Sequence, residues 1–163
     1  MARATAKVAK RARVAAVVDR KMPAELFESA RKAAANAYAP YSGFAVGAAV
    51  ETSDGRIFAG ANMENASYGV TICAEVGALQ AASSAGALRS IRRMVVVGGP
   101  IAGSTGRAQA TAPCGRCRQL IAEAAAVGGH DIEVWFSDLN GRAVQRRRIS
   151  ELLPDAFGPD NLR

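Results

Sequence analysis

The apolar positions of the chain follow two rhythms. Leu26, Phe27, Ala30, Ala34 and Tyr38 recur at helical spacing, and Pro23 suits the first turn of such a helix. Ala39-Pro40-Tyr41-Ser42-Gly43 breaks it. Residues 44–51 and 57–62 read as short strands joined through Ser53-Asp54-Gly55-Arg56, where Asp-Gly is a strong hairpin signal. A loop over 63–71 leads into a helix over about 73–87. Met94-Val95-Val96-Val97, within 92–98, is the uninterrupted run of a strand buried on both faces. A Gly-, Pro-, Ser- and Thr-containing loop over 99–112 precedes a helix over 114–127. Residues 131–137 form another strand carrying Val134, Trp135 and Phe136. Asn140-Gly141 turns the chain, and a short helix near 150–153 stops at Pro154.

The order is α-β-β-α-β-α-β with a final element, which predicts an α/β fold: a mixed sheet covered by helices. No internal repeat is visible. A length of 163 residues suits one domain. With 50% hydrophobic and 21% charged residues the chain is not disordered in bulk. No apolar run approaches the roughly 18 residues that would span a bilayer. The net charge of +7 invites a nucleic-acid reading. Nearly all of it, however, sits in residues 1–21, which hold seven basic residues against one acid. We therefore divide the chain into a basic, flexible extension, 1–21, and a single domain, 22–163. A transit peptide is the weaker reading of the extension.

The chemistry concentrates in three cysteines, too few and too odd in number for a disulfide framework. Cys114 and Cys117 are three apart at a helix start, and Cys73 opens another helix. Helix N-termini favour thiolates. Structural zinc sites close with four protein ligands, whereas catalytic ones keep a place for water. No fourth cysteine exists, and the single histidine, His130, lies elsewhere. Any zinc here would therefore have three Cys ligands and an open position. Glu75, two residues past Cys73, can reach a water at that position and act as general acid/base. A buried thiol set or a redox Cys-x-x-Cys is the bland alternative. Cys73-Ala74-Glu75 followed by Pro113-Cys114-Gly115-Arg116-Cys117 is instead the signature of zinc nucleobase deaminases.

The chain resembles the cytidine deaminase family, in particular its short homotetrameric zinc type, over roughly residues 26–157. Five ordered motifs carry the likeness: Ala39-Pro40-Tyr41-Ser42-Gly43-Phe44-Ala45-Val46-Gly47-Ala48-Ala49; Asn62-Met63-Glu64-Asn65-Ala66-Ser67-Tyr68-Gly69; Thr71-Ile72-Cys73-Ala74-Glu75; Pro113 through Gln119; and Glu151-Leu152-Leu153-Pro154-Asp155-Ala156-Phe157. The resemblance implies a three-layer α-β-α fold with a central sheet of about five strands. It implies Zn²⁺ on Cys73, Cys114 and Cys117, with Glu75 as proton shuttle. It also implies that Asn62 and Glu64 hold a ribose 3′-hydroxyl, that Phe44 packs on the pyrimidine and that the Ala74 amide reads the base carbonyl. Tyr68 and Phe157 resemble residues that complete a neighbouring subunit's pocket in a homotetramer. Taken singly, Asn-x-Glu reads as a solvated loop, Phe44 as core, and Tyr68 and Phe157 as packing residues. Val76 departs from the family, which commonly has Arg there. That feature is shared with blasticidin S deaminase, a relative lacking the Asn-x-Glu-Asn motif present here.

The expected activity is hydrolytic deamination of cytidine and deoxycytidine in the cytoplasm, with a small-molecule substrate and neither a nucleic-acid polymer nor a membrane as partner. Deamination of another aminopyrimidine, such as blasticidin S, is the alternative. A non-enzymatic zinc module on RNA would need four protein ligands and a basic body. A polynucleotide editor would need a basic channel lined with aromatics. With a nearly neutral body and 6% aromatic residues the chain offers none of these.

Overall fold

A computed structural model describes residues 21–101 and 109–162. The first helix, α1 (Ala24–Ala34), turns Leu26, Ala30 and Ala34 inward and carries Arg31 and Lys32 in its last turn, where cations complement the helix dipole. It is shorter than its periodicity suggests. Tyr38 lies beyond it, 56% exposed, with its backbone bridging to Met63. The strands β1 (Phe44–Thr52) and β2 (Ile57–Ala61) form the expected hairpin, with Gly55 at the positive φ of +81° that the turn requires. Then come α2 (Ala74–Ser84), β3 (Ile91–Pro100), α3 (Gly115–Gly128) and β4 (Glu133–Asp138). The expected loop over 99–112 lies partly outside the described residues, as does all of the basic extension except Lys21.

The sheet runs β2-β1-β3-β4-β5, and only β3 and β4 are parallel. Its fifth strand, β5 (Gln145–Arg148), has the sequence Gln-Arg-Arg-Arg and no apolar alternation. Pairing with β4 makes it a strand, in the register Glu133↔Arg148 and Trp135↔Arg146. The connecting loop is tied by the buried Asp138, whose Oδ1 accepts from the Asn140 and Arg142 amides at 3.0 and 2.7 Å. A short α4 (Ile149–Leu152) follows.

Period-two alternation separates two cores. Ala48, Val50, Met94, Val96, Val134 and Phe136 face α2 and α3. Ala49, Val95, Val97 and Trp135 face α1. The expected three-layer α-β-α arrangement is therefore present, with Met94–Val97 buried on both sides.

Candidate active site and metal centre

Cys73 is the N-cap of α2 and Cys114 the N-cap of α3, while Cys117 sits in the first turn of α3. Neither helix start has a side-chain cap, so both direct free N–H groups and positive dipole ends towards the thiols. The three Sγ atoms lie within 4.8 Å of one another, and Cys114 and Cys117 are 3.6 Å apart. A tetrahedral zinc with Zn–S bonds of about 2.3 Å holds its sulfurs roughly 3.8 Å apart, so the trio fits that ion with little adjustment. Without metal, the Cys73 thiol is lowered to about 6, chiefly by its hydrogen bond with Cys117 and further by Cys114 and the charge of Arg116. Cys117 is pushed up by the same bond and by burial.

Glu75, in the first turn of α2, is 4% exposed. Burial raises its carboxyl above the usual range, against opposing hydrogen bonds from its own amide and the Cys117 thiol. A carboxyl touching a ligand thiol, kept dry and easy to protonate, has the properties of a proton carrier. Ala74 is fully buried, and its N–H finds no acceptor among the described residues.

The segment carrying Asn62 and Glu64 is stitched to the start of α2. Met63 and Ile72 exchange both backbone hydrogen bonds at 2.9 Å, which brings the Asn-x-Glu motif beside Cys73. The Asn62 side chain acts as an extra rung of β1: its Oδ1 accepts from the Val46 amide at 2.8 Å, and its Nδ2 donates to the Phe44 carbonyl at 3.0 Å. Glu64 Oε2 accepts from the Tyr41 and Ser42 amides at 2.9 and 3.2 Å. The Ser42 hydroxyl, then burial in opposition, then those two amides set its carboxyl, with a net shift below the usual range. Both side chains thus hold up the turn before Phe44 and retain one further polar atom or hydrogen each.

Phe44, half-buried, opens β1. A Cβ on Gly98 would lie 2.9 Å from its Cε1 and 2.6 Å from Thr111 Oγ1, so the ring occupies space that only glycine leaves. The buried Thr111 hydroxyl has no partner among the described residues. Neither Gly98 nor Thr111 is evident from the sequence, because the signal is contact across strands. Arg116 reaches from α3 to the Thr71 carbonyl at 3.3 Å, spanning the two cysteine-bearing segments. Tyr68 and Phe157 are the outliers, 73% and 59% exposed. Tyr68 meets Tyr41 edge to face at 5.9 Å, and the Phe157 carbonyl accepts from Gln119 Nε2 at 2.6 Å.

Residues 20–128 match the family model described as the cytidine and deoxycytidylate deaminase zinc-binding region. The chain belongs to that family. Its relatives include the cytidine deaminase of Mycobacterium tuberculosis strain CDC 1551, 43% identical over 82% of this chain and 88% of the relative. That of Halalkalibacterium halodurans is 42% identical over 89% and 98%. The crystal structure of cytidine deaminase from Burkholderia pseudomallei, at 42% identity, superposes with a TM-score of 0.70 over 83% of this chain and all of that one. The family's zinc requirement and the three-cysteine cluster agree, so zinc is the cofactor of this deaminase-family chain. No helix among the described residues is long and apolar enough to cross a membrane.

Proposed function

We propose that the protein hydrolyses cytidine and deoxycytidine to uridine and deoxyuridine, releasing ammonia. The observation that carries this is the placement of a buried Glu75 against three convergent thiols on two helix starts. Zinc, when bound, supplies a Lewis acid that makes water nucleophilic near neutral pH. Cys73, Cys114 and Cys117 would hold it. Glu75 would take a proton at its carboxylate, return it to N3 of the pyrimidine and help the amine leave as ammonia. The Ala74 N–H is free to read the base carbonyl, and Phe44 would pack on the ring.

The remaining capacity of Asn62 and Glu64 suits a sugar hydroxyl that both donates and accepts. This favours a nucleoside over an antibiotic lacking a ribose. The exposure of Tyr41, Met63, Tyr68 and Phe157 supports a homotetramer in which a neighbour covers them and shares its site. Three free thiols suit the reducing cytoplasm, where the reaction would serve pyrimidine salvage. Ammonia release from cytidine, deoxycytidine and blasticidin S, measured beside zinc content, tests the reading. Turnover of blasticidin S but not of cytidine would reject it.

A further inference from the structure

At the end of the sheet opposite the cysteines, a row of charge crosses four strands. Glu51, Arg93, Glu133 and Arg148 are successive register partners on β1, β3, β4 and β5. Arg93 pairs with Glu51 at 3.2 Å. Glu133 pairs with Arg146 and, at 3.5 Å, with Arg148. Two carboxylates therefore serve three guanidinium groups, and the excess is positive.

Beside this row lies a pocket of about 240 Å³ lined by Lys21, Pro23, Arg93, Glu133, Trp135 and Arg146. Lys21, exposed at the entry to α1, brings a further cation with no partner among the described residues. Arg146 lies over the Trp135 ring, 5.3 Å from its centroid. Trp135 is 4% exposed, yet its indole Nε1–H has no acceptor among the described residues. Buried N–H groups are nearly always paired, so Trp135, which lines the pocket, retains an unmet donor.

Two guanidinium forks and an ammonium set against the one Glu133 carboxylate leave the pocket rich in donors, and guanidinium geometry matches the oxygens of a phosphate. We propose that this pocket binds a phosphoryl group, either as inorganic phosphate or as the phosphate of a small ester. It is separate from the cysteine centre. Along β1, Phe44 and Glu51 are seven residues apart, roughly 23 Å at strand rise, and the pocket opens on the α1 face while the thiols sit at the starts of α2 and α3. The occupant and a nucleoside at the cysteines would not compete.

Trp135 is the only tryptophan of the chain, so its emission reports on this pocket. The full-length zinc-loaded protein is titrated with inorganic phosphate and, separately, with cytidine 5′-monophosphate at fixed ionic strength, following emission and calorimetric heat. A saturable response is expected with at least one of them, unaffected by prior saturation with uridine. Phosphate binding as tightly as the ester identifies the free ion as ligand, and tighter binding of the ester identifies a nucleotide. Lys21→Ala and Arg93→Ala should each weaken binding about tenfold, the effect of one charge-assisted hydrogen bond, with cytidine turnover unchanged in Lys21→Ala. No saturable response in either measurement would overturn the proposal. So would a response reproduced by chloride, abolished by uridine, or unaltered in both variants.

Discussion

Gly60 on β2 lies directly under Ala78 of α2. A Cβ on Gly60 would come within 2.5 Å of the Ala78 amide nitrogen and 2.6 Å of the Ala74 carbonyl oxygen. Backbone meets backbone there, and that contact sets the height of the helix that Cys73 caps and whose first turn carries Glu75. Gly60→Ala must lift α2 from the sheet. We expect a loss of about 1–3 kcal/mol of stability, the usual cost of overpacking, and weaker zinc retention. Denaturant unfolding and metal content of the purified variant check both. Unchanged zinc retention would show that the thiols do not depend on this contact.

Glu75→Gln should keep the fold and the zinc but lower turnover of cytidine by about 10²–10⁴-fold, the range for general acid/base catalysis. The amide is close in shape but cannot carry the proton. Steady-state rates with metal analysis decide it. Activity within a few fold of the parent would assign the proton transfers to another group.

Cys117→Ala should lose zinc outright and unfold at lower denaturant, because metal binding contributes to folding free energy. Cys117 is fully buried, so its removal also leaves a small cavity. Cys114 is exposed, and Cys114→Ala should lose the metal with less damage to packing. Thermal melts with and without added chelator separate the two contributions. Equal melting temperatures for parent and variants under chelator would remove the packing part.

Glu64 carries a pH dependence whose sign follows from its lowered carboxyl. A folded value below the unfolded one makes its contribution complete above the ordinary glutamate range of about 4.3. The contribution is lost as pH falls through the lower folded value. Hydrogen exchange at the Tyr41 and Ser42 amides should therefore accelerate only in acid. Glu64→Gln should accelerate it at neutral pH and raise KM for cytidine more than it lowers kcat. Protection of both amides unchanged in Glu64→Gln would argue that the turn stands without the carboxylate.

Removing residues 1–20 should leave cytidine deamination unchanged, since every motif of the site lies after Pro23. Rate and sedimentation of the shortened chain test this, and a loss of either would give the extension a part in assembly or catalysis.

The thiols, Glu75 and the order of the main elements were legible in the residues themselves. Metal-ligand chemistry depends on residue type and short spacing, and a buried sheet leaves its mark in runs such as Met94–Val97. The strand β5 was not legible, since Gln-Arg-Arg-Arg has no apolar period and becomes a strand only by pairing with β4. Tyr38 continues the helical period of α1, but its backbone N–H donates to the Asn62 carbonyl and its carbonyl accepts from the Glu64 amide instead. The double duty of Asn62, the space Gly98 leaves for Phe44, and the closeness of Gly60 to α2 belong to the tertiary structure alone. Each depends on which backbone groups meet across elements far apart in the chain, and local sequence does not encode that distance.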